Sequence, residues 1–194
     1  LSYQNTILRG NATKIDLLFL REYLRQRHAV HTPSPGQAVS GGFTDCRYQG
    51  VVQHILHCDI TSLYPSIMLS YECFPAHDVL GVFPSLLHDL REFRVQAKGL
   101  ARQAKNPPSQ RNYDALQATF KILINSFYGY LGFSLGHFND FAQADRVTRT
   151  GREIIQHIVV GLEGAGCRII EVDTDGLYFT PPPGVHTPED EERL

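Results

Sequence analysis

The chain has 194 residues, 42% of them hydrophobic and 20% charged, enough to bury a core without metal or disulfide staples. Cys46, Cys58, Cys73 and Cys167 lie too far apart for a zinc ribbon or a secreted disulfide framework, and no apolar run approaches the roughly 18 residues of a membrane span. The net charge of −2 names no partner, so composition predicts a reduced, intracellular, soluble protein with no membrane contact; a cytoplasmic, prokaryotic-type location is expected.

Residues 12–28 place Ile15, Leu18, Phe19, Glu22, Tyr23 and Arg25 at the spacing of an amphipathic helix, and the breaker-rich stretch Thr32–Gly42 follows as a connection. Val51–Asp59 is rich in Val, Ile and His and reads as a strand ending on its aspartate. Pro65 suits the start of a short helix through Met68. Two helices, Ser85 to about Ala104 and Asn112 to about Tyr130, flank Asn106-Pro107-Pro108-Ser109, which is read as a break, giving an antiparallel hairpin. A third helix, capped by Asn139 or Asp140, runs to about Glu163, with Gly164 and Gly166 to end it. Cys167–Val172 and Leu177–Thr180 form a β-hairpin turning at Asp173-Thr174-Asp175-Gly176.

Charge is unevenly placed along these elements. Between Asp89 and Arg152 ten Lys or Arg face five acids, a net +5, which leaves −7 for the rest. A basic middle between acidic parts suits a protein that handles phosphates beside acidic metal ligands, although a solvated basic helix looks the same in sequence.

Three acids fall where strands end or turn: Asp59, Asp173 and Asp175. Residues two apart on a strand face one side, so these carboxylates converge if the two strands are neighbours. Carboxylates with substrate phosphates are the usual magnesium set. An isolated Asp-Thr-Asp-Gly is more often a plain turn, but on the second hairpin helix Lys121, Asn125 and Tyr128 align at i, i+4 and i+7, and Arg94 and Lys98 pair on the first. Two such stripes across a hairpin would grip a polyphosphate. His54 and His57, three apart, point to opposite faces of a strand and are read as structural.

Three segments, in order, resemble family B DNA polymerases. Asp59-Ile-Thr-Ser-Leu-Tyr-Pro-Ser66 resembles the first palm motif, Lys121-Ile-Leu-Ile-Asn-Ser-Phe-Tyr-Gly129 the fingers motif, and Asp173-Thr-Asp175 the second palm motif. The resemblance covers about Gly41 to Gly184. It implies an α+β fold: a palm of antiparallel sheet backed by helices, residues 46–83 and 133–194, an inserted helical-hairpin fingers of 84–132, and an N-terminal connecting segment of 1–45. It also implies two magnesium ions, with manganese as the alternative, held by Asp59, Asp175 and the Ile60 carbonyl with Asp173 in support, which activate a primer 3′-hydroxyl and neutralise the leaving pyrophosphate. By the same resemblance Arg94, Lys98, Lys121 and Asn125 hold the incoming dNTP. Tyr128 packs behind the nascent base pair, and Tyr64, with Leu63 beside it, lies under the sugar.

Departures from the family pattern are few. Gly176 stands where many members have Ser, as in some archaeal-type members, and Val39 stands where a linker motif, here Val39-Ser-Gly-Gly42, usually begins with Tyr. The 62 positions from Asp59 to Lys121 leave no room for the large insertion of protein-primed members. The chain begins at Leu1 and stops in the acidic run Glu189 to Glu192, so it reads as a piece of a longer enzyme, with thumb and exonuclease expected elsewhere in the parent. The partners implied are primer-template DNA, dNTP and those domains. A catalytically silent, polymerase-like scaffold or binding subunit is the alternative. A two-metal nuclease or cyclase leaves the Lys121, Asn125 and Tyr128 stripe unexplained.

Overall fold

A computed structural model describes residues 7–185 and residue 190. The chain divides into two compact units, Leu1–Val39 with Tyr64–Arg146, and Ser40–Leu63 with Val147–Leu194.

In the first unit, helix α1 (Asn11–Arg25) buries Ile15, Phe19 and Tyr23, one stripe at i, i+4 and i+8. Arg27 adopts a left-handed φ of 53° just past its end, which is why the helix stops short of the 28 expected. Phe19 stacks on Tyr130 at 5.3 Å and on Phe138 at 4.9 Å, so aromatic rings dominate this core. Asp16 is buried among them, and its carboxylate accepts from the Tyr130 hydroxyl at 2.8 Å, the His137 amide at 2.8 Å and the His137 ring Nδ1 at 2.9 Å. Those bonds offset the cost of taking a carboxylate out of water.

Helix α2 (Leu63–Ser70) buries Ile67 and Met68. Helices α3 (Val82–Gln103) and α4 (Pro107–Leu131) form the expected hairpin, with Phe93 and Phe120 in ring contact across it. The two prolines begin α4 instead of separating the helices. Proline at the first helical positions forfeits an amide that has no partner there anyway, and Asn106 caps the turn by accepting from the Ser109 amide at 2.9 Å. Helix α5 (Phe141–Gly164) runs from the first unit into the second. Asp140 is its cap, accepting from the Gln143 amide, while Asn139 turns inward to bond Ser34 and Phe133.

The second unit holds a four-stranded antiparallel sheet in the order β1-β3-β4-β2, with β1 Thr44–Cys46, β2 Leu56–Asp59, β3 Arg168–Asp173 and β4 Gly176–Thr180. Strand β2 is shorter than Val51–Asp59 because His54 takes a left-handed φ of 54° that extended pairing does not tolerate. Thus His54 precedes the strand and does not share it with His57. Strand β1 has three residues, too few for period-2 alternation to show. A bulge between Ile169 and Glu171 leaves Ile170 unpaired on β4, and the Ile170 carbonyl accepts from Arg47 instead. Beyond the bulge Val172 is buried while Glu171 and Asp173 face outward.

Candidate active site

Pairing register brings the acids of the second unit to one end of the sheet. Asp59 lies opposite Gly176 on one side, and Asp173 lies opposite the same Gly176 on the other. Directly paired residues share a face, so both carboxylates rise from the open side with only a glycine between them. Two strand spacings put their backbones roughly 10 Å apart.

Asp175 sits in the turn. Its carbonyl accepts from the Ile60 amide at 2.8 Å, which places Asp175 beside the Asp59-Ile60 step. The turn itself is tight: the Asp175 amide donates to the Asp173 carbonyl at 2.6 Å around Thr174, whose φ is 57°. A β-branched residue in the left-handed region is strained. The Thr174 amide donates to the Phe43 carbonyl at 2.8 Å, and its hydroxyl to Asp173 Oδ1 at 3.1 Å. Ser62, with φ 59°, is a second left-handed residue close behind Asp59. Backbone strain therefore flanks both acidic segments.

As the side chains stand, no group of three His, Cys, Asp or Glu among the described residues lies close enough to hold one ion. The donor set nevertheless fits a hard divalent cation in kind: exposed carboxylates on a rigid sheet end and the backbone carbonyls of the Asp59-Ile60 step. Gly176 keeps the space over the sheet open. A Cβ there would meet His57 Nε2 at 3.0 Å and come within 3.7 Å of Asp59 Oδ2.

The remaining candidates belong to the first unit, apart from Leu63, which is buried and presents only its backbone. Tyr64 and Tyr128, 64 positions apart in sequence, meet with ring centroids 4.6 Å apart and planes tilted by 50°. Helix α4 buries Ile124, Phe127, Tyr130 and Leu131, which turns Lys121 and Asn125 to solvent and leaves Tyr128 half-buried. On α3, Lys98 is exposed and Arg94 half-buried. A shallow cleft bounded by Gln37, Val39, Tyr128, Gly129, Gly132 and Phe141 adjoins the Tyr128 ring. His57, read from the sequence as structural, shares the open face of β2 with Asp59 and stacks on Tyr178 at 4.4 Å.

Comparison with known proteins gives the family. DNA polymerase 1 of Pyrococcus abyssi (strain GE5 / Orsay) is 31% identical over 179 residues, covering 81% of this chain and 23% of that protein. The DNA polymerase of Thermococcus sp. (strain 9oN-7) is 32% identical over 193 residues, covering 85% and 25%. This chain thus spans about a quarter of the length of these relatives. In fold it resembles the family B DNA polymerase from the hyperthermophilic archaeon Pyrobaculum calidifontis, with a TM-score of 0.71, 22% identity, and 91% of this chain and 27% of that one covered. Residues 71–173 match DNA polymerase family B, more than half of the chain, and the chain belongs to that family.

Proposed function

We propose that this chain carries the nucleotidyl-transfer centre of a template-directed DNA polymerase, extending a DNA primer with dNTP, the sheet serving as palm and the α3–α4 hairpin as fingers. The observation that carries the reading is the register that sets Asp59 and Asp173 on either side of Gly176 with Asp175 in the adjoining turn. Family membership supports it.

In this reading Asp59, Asp175 and the Ile60 carbonyl hold two divalent ions, with Asp173 in support. Magnesium, or manganese in its place, supplies when bound the charge that acidifies a hydroxyl and steadies a leaving pyrophosphate. The protein's own contribution is positioning, because phosphoryl transfer asks little else of side chains. Lys121 and Arg94 neutralise the triphosphate as point charge and fork respectively, Lys98 adds charge, and Asn125 donates a hydrogen bond. Tyr128 and Tyr64, already in contact, present ring faces to the base pair and the sugar. A thumb is the further segment a whole enzyme of this kind would use to grip primer-template DNA, with an exonuclease elsewhere in the parent.

The silent-scaffold alternative is not favoured, since all three acids remain. Primer extension on templates of defined sequence, by the polymerase that carries this chain, tests the reading. Incorporation dictated by the template and dependent on a divalent ion is expected. Tight DNA binding without incorporation, unchanged by Asp59→Asn, would favour the scaffold.

A further inference from the structure

The open face of the sheet carries a second row of side chains directly beneath the acids. Register aligns His57 on β2, Tyr178 on β4, Glu171 on β3 and Cys46 on β1, and all four are exposed. This row lies two residues along the strands from Asp59, Gly176 and Asp173, a step of about 7 Å. The His57 ring lies nearly flat on Tyr178, with an interplanar angle of 23°. Its Nε2 leans toward the acid row through space that a side chain at 176 would fill, since a Cβ there would stand 3.0 Å from it. Neither the His57 ring nor the Glu171 carboxylate has a hydrogen-bond or ion-pair partner among the described residues.

Resting on the proposed polymerase activity, a geometric consequence follows. A nucleotide whose 3′-hydroxyl reaches the acid row must lay its body over the row beneath. That row is asymmetric about Tyr178: an imidazole N–H, a donor, stands on one side and a carboxylate on the other. A phosphodiester is drawn to the first and repelled by the second. We propose that the primer strand tracks along the β2 side of the sheet, with the His57 N–H on the last phosphodiester before the primer terminus and the terminal sugar against the His57-Tyr178 ring pair, while Glu171 bars the β3 side. Gly176 is the residue that lets the imidazole reach that position.

Binding of primer-template DNA without nucleotide tests this directly. Two primers are compared, one natural and one carrying a neutral methylphosphonate at its last linkage, against the wild type and His57→Phe, which keeps a ring on Tyr178 but removes the donor. A hydrogen bond to a charged group predicts that neutralising the linkage weakens wild-type binding about tenfold. His57→Phe should weaken binding of the natural primer by a similar factor and make the two primers equivalent. Glu171→Gln should tighten the natural primer by about threefold at low salt and leave the neutral one unchanged. Gly176→Ala, which displaces the imidazole without deleting it, should give a partial loss confined to the natural primer. A His57→Phe protein that still discriminates the two primers as the wild type does would overturn the proposal, as would a wild type indifferent to the neutral linkage. If the wild type binds primed duplex no tighter than bare single strand, the polymerase reading itself fails, a result seen before any variant is compared.

Discussion

Tyr64 stands five positions after Asp59 and one before Pro65, where the chain enters α2, and its ring rests on Tyr128. A ring held at both its backbone and its edge has little freedom to yield. Under the proposed function it faces the 2′ carbon of the incoming sugar, and a ribose hydroxyl there either displaces the ring or misplaces the α-phosphate. A misplacement of about 1 Å costs roughly a hundredfold in rate. Tyr64→Ala should therefore raise ribonucleotide incorporation by up to about that factor while keeping most deoxynucleotide activity, read from the ratio of kcat/KM values. An active variant with unchanged sugar selectivity would remove Tyr64 as the gate. Two other phenols act on stability. Burial, aided by the bonded Asp78 carboxylate, pushes Tyr23 up to about 12, and burial beside Asp16 raises Tyr130 further. Unfolded tyrosine ionises near pH 10, so the stability these groups contribute is whole below about pH 10 and lost as pH rises toward the folded value of Tyr23. Denaturant midpoints measured across that window should fall with pH, and Tyr23→Phe should flatten part of the fall. A level profile would contradict the assignment.

At the scale of elements, α4 illustrates how much of the candidate site could be read in advance. The i, i+4, i+7 spacing of Lys121, Asn125 and Tyr128 placed them on one stripe, and burial of Ile124 and Phe127 leaves that stripe on the open side. An exposed helical lysine contributes little to folding, within about 0.5 kcal/mol. Lys121→Ala should accordingly raise the nucleotide concentration for half-maximal rate at least tenfold while the melting temperature barely moves; a folded variant with unaltered nucleotide use would refute its role. Long helices were legible because their periodicity repeats over many turns, and the β-hairpin because Asp-Gly and β-branched runs mark it. Boundaries failed where one residue overrides the pattern: His54 truncates β2, and Pro107 starts the helix that was expected to begin five residues later at about Asn112. Strand β1 was invisible because it is defined by a partner distant in sequence, and the bulge at Ile170 because no residue type marks it. The contact of Tyr64 with Tyr128 was likewise out of reach, since the two lie on separate helices and no spacing rule connects them.

At the scale of the whole molecule, the acids tell the same story. The motif Asp173-Thr174-Asp175 taken alone reads as a turn former, and it is the register laying Gly176 between Asp59 and Asp173 that brings it beside the first aspartate. That register is set by the two-residue turn at Thr174-Asp175, while the bulge lets Ile169 and Ile170 both face the core. Ser62 and Thr174, two of the five non-glycine residues with positive φ among those described, lie in the segments that carry the acids. Among the described residues no helix is long and apolar enough to cross a membrane. The chain spans about a quarter of its relatives' length.

The central claim is that Asp59 and Asp175 serve chemistry and not the grip on DNA. Single-turnover extension and primer-template affinity, measured side by side for Asp59→Asn and Asp175→Asn in the polymerase carrying this chain, separate the two. The account predicts that turnover falls by at least about a thousandfold, some 4 kcal/mol of barrier, while DNA affinity changes less than about threefold. A parallel loss of both, or turnover that survives either substitution, would contradict it.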